Sequence, residues 1–378
     1  MLGEPLLKIL FLHRTGQLGD RIRATEILNF LKEGNYDVIE ASLPLTSVNM
    51  DQLINALPYF IPLSGFSSLS VLENMTSSFA FNVSYNYLNR IITKSNFQAI
   101  LAETSWGGWL ALQLIKKRGL SIPLIVDVHG LWFAEAKGWG KKNWKQIEYV
   151  EAELFQSSDH LIVVSERMKS FLIEHFKVVP EKVTVIPNGA PAIFHVTKYQ
   201  LPLKIIYAGI FDYYENVDRY LEIAENSKSN DFRFFLFGAG PLKKKILSRL
   251  KKRNIPIQYM GYVPRGTMLN LLAEFQVGMI FSSKDLAREV ACPIKLMDYA
   301  SRGLPTIGPK IGDWGDLIAA ENIGFALEDD SSERYSEALS NLLDEHEWNK
   351  KSQNCLDFAE TYQWHNVLRP MKEVLDKF

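Results

Sequence analysis

The segment PIKLMDYASRGLP, residues 293–305, carries the side chains most suited to chemistry. Proline opens it, Gly303 and Pro305 close it, and the residues between are good helix formers, so the spelling predicts a short, sharply bounded helix with Pro293 at its first position. The backbone amides of Ile294, Lys295 and Leu296 would then be unpaired donors at the helix start, and Lys295 adds a full positive charge to an end that already favours anions. Asp298 follows Lys295 by three residues, on the same face, where a carboxylate accepts hydrogen bonds from a ribose diol. One short helix would thus hold a nucleoside diphosphate. The same residues also suit an ordinary αβ unit with a solvated lysine and aspartate.

Other residues extend the set. In FGAGP, Gly238 permits close approach to a nucleotide or simply a tight turn from strand to helix. In GQLGDRIR, Gly16 and Gly19 precede a predicted helix with Arg21 and Arg23 in its first turn. Cations there are unfavourable unless an anion lies nearby, which reads as phosphate or acceptor recognition, or as a surface turn with solvated arginines. His129 ends the apolar run PLIVDVH and so is expected to open into a cleft, with Asp127 placed to orient it or to bond the neighbouring loop, and Glu135 a further cleft candidate.

These residues need elements to hold them. A chain of 378 residues exceeds one ordinary core, and roughly 100–200 residues per domain gives two. Short β-rich runs alternate with helical patterns throughout, the signature of parallel sheets covered on both faces. Strands are expected at LLKILFL, DVIEASL, QAILAET, PLIVDVH, HLIVVS and KVTVIPN, then at KIIYAGI, FRFFLFG, IQYMGYV, VGMIFSS, LPTIGP and GFAL. The resulting fold class is α/β with two doubly wound, Rossmann-like domains facing a cleft. The first domain covers 1–195 and the second 202–360, with the linker at 189–202, and a terminal helix follows at 361–378.

Composition narrows the class. With 47% hydrophobic and 22% charged residues the chain has the make-up of a soluble globular protein. A net charge of −1 argues against nucleic acid as a partner. Two cysteines, Cys292 and Cys355, form neither a disulfide framework nor a metal spacing. No run reaches the ~18 apolar residues that span a bilayer, and the expectation is a cytoplasmic protein without an export signal. GLWFAEAKGWGKKNWK interleaves Trp132, Phe133, Trp139 and Trp144 with Lys137, Lys141, Lys142 and Lys145, a membrane-interface composition that also fits an acceptor loop or aromatics packed within the domain. With the apolar loop LPYFIPLSGF (57–66), it points to peripheral membrane contact or a lipid-linked acceptor.

Residues 293–305 resemble the donor-binding signature of glycosyltransferase family 4, matching in register at Pro293, Lys295, Tyr299, Gly303 and Pro305, with Asp298 in place of glutamate and Ser301 where alanine is usual. The resemblance extends from about residue 120 to 365, through SSDHLIVVSERMKSFL, KVTVIPNGAPAIF, FLFGAGPLKKKIL and IQYMGYVPRGTMLNLLAEFQVGMIFSS. It implies the GT-B fold, a terminal helix that crosses back to the first domain, and retaining transfer from a nucleoside-diphosphate sugar without a metal or other cofactor. It also implies a histidine at His129 near the sugar, a glycine-rich loop at residues 16–19, and a nucleotide beside Gly238 and Gly209. Two departures stand out. Ile210 occupies the position of an arginine that normally follows Gly209, and Glu215 or Asn216 lies near that of a lysine. Counting back from Asp298 gives Val290 where the signature has its first glutamate, with Glu289 adjacent. Lys295, Arg288, Arg21 and Arg23 are the available substitute cations. The expected function is a retaining glycosyltransferase acting on a lipid-linked or glycan acceptor; the alternatives are a non-catalytic nucleotide-sugar-binding subunit and a GT-B nucleotide-sugar epimerase.

Overall fold

The computed structural model describes residues 7–14, 21–43, 83–227 and 229–378. Among them run two six-stranded sheets in which every paired neighbour is parallel. The first contains β1 (Lys8–Arg14), β2 (Asp37–Leu43), β3 (Ala99–Glu103), β4 (Leu124–Val128), β5 (His160–Val163) and β6 (Val183–Val185), in the order β2-β1-β3-β4-β5-β6. The second contains β7 (Leu203–Ile210), β8 (Phe232–Ala239), β9 (Ile257–Gly261), β10 (Val277–Met279), β11 (Thr306–Pro309) and β12 (Gly324–Leu327), in the order β12-β11-β10-β7-β8-β9. Both are doubly wound. Each reverses direction once, between β1 and β3 and between β7 and β10, and ligands of such sheets bind at the carboxyl ends of the strands flanking that reversal.

Side-chain alternation explains why both faces of the first sheet are covered. Leu10 and Leu12 of β1 join Ile100, Val126, Val128, Leu161 and Val163 in one core. The intervening Ile9 and Phe11 join Leu101, Ile125 and Ile162 in another. A continuous apolar run is what a strand buried on both faces requires. The second of these cores is completed by the chain's end: the helices Trp364–Val367 and Arg369–Leu375 bury Trp364, Leu368, Met371, Val374 and Leu375 there. The return is laced to the linker region, since Ala190 N–H donates to Tyr362 O at 2.7 Å and Trp364 N–H to Ala190 O at 3.3 Å.

Candidate active site

At the reversal of the second sheet, β7 ends in Tyr207-Ala208-Gly209-Ile210 and runs into a tight turn, Tyr213–Glu215. The Tyr207 hydroxyl donates to the Glu215 carboxylate at 2.8 Å and lies 3.1 Å from Ile210 O. Lys295 enters from the helix Ile294–Ala300, pairs directly with Glu215, and places its ammonium 4.9 Å from the Tyr207 ring centre. Gly209 leaves room for this pair, since a Cβ there would stand 2.9 Å from Lys295 Nζ and 3.0 Å from the Tyr207 hydroxyl. The lysine side chain is 15% exposed and the glutamate 8%. Lys295 is therefore not the free cation that the sequence predicts; a carboxylate from the very turn that lacks the usual cation neutralises it.

Asp298 is likewise engaged. Arg265, at the start of the helix Arg265–Leu271, donates to Oδ1 at 2.5 Å and to Oδ2 at 3.2 Å. Burial raises the Asp298 pKa above the ordinary carboxylate value, against the opposing pull of Arg265. A ribose diol would have to share this carboxylate. The helix start also differs from expectation: Pro293 is the residue before the helix, with extended geometry, and Leu296 N–H donates to Pro293 O at 3.1 Å, so that amide is not unpaired. At the other end Gly303 does take the left-handed conformation, at φ 72°.

Gly238 has φ 131°, and a Cβ on it would lie 1.8 Å from Gly209 O. The close approach of β7 to β8 accounts for this glycine without any ligand. Arg288, in the short helix Leu286–Glu289 after β10, stacks its guanidinium 4.4 Å from the Tyr214 ring centre. Its Nε is buried with no hydrogen-bond partner among the described residues. The neighbouring Glu289 is exposed.

At the carboxyl ends of the first sheet, the placement overturns two readings. Asp127 is fully buried and does not orient His129; it receives Arg23 instead, with Nε at 2.8 Å from Oδ2 and a terminal nitrogen at 2.7 Å from Oδ1. Arg23 also donates to Ile186 O and Pro187 O, both at 3.0 Å. It is 3% exposed and so cannot serve a cleft anion. A cation in a helix's first turn seeks an anion, and for Arg23 that anion is Asp127. Arg21 begins the helix Arg21–Glu33, and Gly16 and Gly19, like residues 57–66, lie outside the described residues.

His129 is 31% exposed, and its Nε2 lies 3.5 Å from Oε1 of Glu103, the last residue of β3. Burial alone would lower the His129 pKa; Glu103 and Asp127 outweigh both burial and Arg23, so it is held above the ordinary histidine value. Glu103 was missed in the sequence, although it bears the signal used for His129, a polar residue ending an apolar strand. Glu151 was missed too. Fully buried, it accepts from Ser105 Oγ at 2.5 Å and from the amides of Trp132 and Phe133 at 2.9 and 2.8 Å, capping the helix Trp132–Gly138 that follows His129. Burial pushes its pKa up to about 7 despite those three donors.

That helix meets the second domain. The Tyr213 ring packs against Trp139 at 5.1 Å, and its hydroxyl donates to Glu135 O at 3.3 Å. The two halves are also joined where Ser165 Oγ donates to Val290 O at 2.7 Å and Asn188 Nδ2 to Cys292 O at 2.6 Å. Of the tryptophan–lysine segment, Phe133 is buried in the core, while Trp144 lies under Lys137 and Lys145 at 4.9 and 5.6 Å; Trp139 is 44% exposed. No helix among the described residues is long and apolar enough to cross a membrane.

Comparison with known proteins agrees with this geometry. Residues 73–192 match Glycosyltransferase Family 4, and residues 202–345 match Glycosyl transferases group 1. The chain is 24% identical to the UDP-Gal:alpha-D-GlcNAc-diphosphoundecaprenol alpha-1,3-galactosyltransferase of Escherichia coli, over 90% of this chain and 87% of that protein. Among solved structures it is similar to sucrose-phosphate synthase from Thermosynechococcus elongatus, with a TM-score of 0.76 and 13% identity over 98% of each chain. It is also similar to Anabaena HepE in complex with UDP, with a TM-score of 0.71 and 12% identity over 98% of this chain and 100% of that one. Each of the two doubly wound halves matches a glycosyltransferase family model of its own, and the chain is accordingly an enzyme of the GT-B glycosyltransferases, of the family 4 type.

Proposed function

We propose that this glycosyltransferase takes its sugar from a nucleoside-diphosphate donor, with retention, and passes it to a lipid-linked glycan. The observation that carries the donor reading is the cluster at the β7/β10 reversal, where Lys295 pairs with Glu215 and Arg288 stacks on Tyr214, both partners belonging to the turn that follows β7. In this reading the diphosphate draws Lys295 from Glu215 and meets Arg288, whose unpartnered Nε gains an acceptor; no metal is needed to neutralise it. The ribose shares Asp298 with Arg265. His129 faces the sugar from the first domain. The anomeric C–O bond to the diphosphate breaks, the acceptor hydroxyl oxygen bonds to the same face of the anomeric carbon, and its proton passes to the departing phosphate oxygen.

The lipid-linked acceptor is supported by the printed activity of the Escherichia coli relative, which acts on a diphosphoundecaprenol-linked sugar. The exposed Lys141, Lys142 and Lys145, in the same segment as the exposed Trp139, are suited to an anionic bilayer surface and support a peripheral position at a membrane. The test is product analysis: purified protein is incubated with a panel of UDP-sugars and a polyprenyl-diphosphate-linked N-acetylglucosamine, in vesicles with and without anionic lipid. A disaccharide-lipid whose new linkage keeps the donor's anomeric configuration, formed faster on anionic vesicles, is expected. An inverted linkage, an epimerised nucleotide-sugar as the sole product, or indifference to lipid charge would each overturn the corresponding part.

A further inference from the structure

Two strands that neighbour each other in the first sheet, β3 and β4, end in Glu103 and lead into His129. Glu103 is 3% exposed, and His129 Nε2, buried and without a hydrogen-bond partner among the described residues, lies at ion-pair distance, 3.5 Å, from its carboxylate, while the imidazole as a whole is 31% exposed. Asp127, the direct register partner of Glu103 on β4, is balanced by Arg23. Among the described residues the charged groups facing the imidazole are therefore Glu103 from β3, Asp127 from β4 and Arg23 from the helix Arg21–Glu33, and the last two form a closed pair.

We propose that Glu103 is the positioning residue for His129: its carboxylate fixes the proton on Nε2 and favours the imidazolium, leaving Nδ1 as an N–H donor to an oxygen of the bound sugar or its diphosphate. The tautomer of a histidine is set by the partner of one ring nitrogen, which determines what the other offers. A carboxylate accepts only, so an Nε2 that closes the remaining gap to Glu103 does so as N–H. The proposal rests on the reading above that His129 faces the donor. Asp127, which sequence position favoured for this task, is occupied by Arg23.

The test compares the parent enzyme with Glu103→Gln and Glu103→Asp. Histidine ring signals are followed through a pH titration by NMR, with His129→Gln used to assign the resonance. Removing the carboxylate charge should move the His129 midpoint to lower pH, and aspartate should restore part of the shift; an unmoved midpoint in folded Glu103→Gln overturns the pairing. If the glutamine variant does not fold, the aspartate variant decides alone, a midpoint between the parent and ordinary values being expected and an unchanged one fatal. Turnover of UDP-galactose or UDP-glucose is read in parallel. Glu103→Gln should lower kcat about tenfold with little change in KM for the donor, and should move the basic limb of the rate profile to lower pH. Equal changes in both constants with an unmoved limb would leave Glu103 a merely structural residue. Should the parent turn over neither sugar, the donor reading fails while the titration still decides the pairing.

Discussion

Lys295 meets its carboxylate in a place with little water, and any diphosphate reaching the β7/β10 reversal competes with Glu215 for the same ammonium. Replacing Glu215 by glutamine keeps the shape and an acceptor for the Tyr207 hydroxyl but removes the competing charge. A charge-assisted contact gains roughly 1.5–3 kcal/mol, so Glu215→Gln should bind UDP about tenfold or more tightly by calorimetry, while its unliganded form melts earlier because a buried cation has lost its partner. Unchanged affinity would remove Lys295 from the phosphate site. Residue types at this site were legible in the sequence; their pairings were not. Lys295 finds its partner 80 positions away and Arg23 finds Asp127 at a separation of 104. A helical spacing argument reaches three or four residues, so it sees neither Glu215 beside Lys295 nor Asp127 beside Arg23. The polar end of an apolar strand is a local cue, and it is shared by His129 after β4 and by Glu103 at the end of β3.

At the level of elements, each of the twelve runs does contain a strand; central ones such as β3 and β4, buried at every position, announce themselves as unbroken hydrophobicity, and β9 by alternation. Boundaries slipped by the usual residue or two, and at Pro293 that slip matters, because it moves the proline out of the helix and pairs the Leu296 amide. What sequence periodicity could not reveal is how the helix after His129 is held at its start, which falls to Glu151. The folded carboxyl keeps its proton to about pH 7, whereas at its ordinary value of 4.5 it would release it. Between those values the folded state binds the extra proton, so Glu151 contributes stability below about pH 4.5 that is lost as pH rises through 7. The loss is on the order of 3 kcal/mol at most. Urea unfolding of the parent should therefore become easier from pH 5 to pH 8, and Glu151→Gln should flatten that part of the slope. Equal slopes in the two proteins would mean that the three donors hold Glu151 charged throughout.

On the scale of the whole molecule, the two halves are unequal in how they are completed. The second sheet's cores are built from its own helices, whereas one core of the first, around Ile9, Phe11, Leu101, Ile125 and Ile162, is closed by the last residues of the chain. Trp364 is the hinge of that closure. It is 6% exposed, and it packs so close to Gly189 that a Cβ there would fall 2.7 Å from its ring. Removing a buried tryptophan costs about 3–5 kcal/mol, and here the loss falls on the half that carries His129 and Glu103. Trp364→Ala should therefore lose hydrogen-exchange protection in β1, β3 and β4 while β7, β8 and β10 stay protected. Because the proposed nucleotide groups lie in the second half, UDP should still bind when sugar transfer has fallen away, and the surviving half should be stabilised by UDP as ligand binding to a folded state requires. Protection lost equally from both sheets would show that the halves fold as one cooperative unit, joined through Ser165, Asn188 and Tyr213 strongly enough that the terminal return supports the donor site as much as the acceptor side.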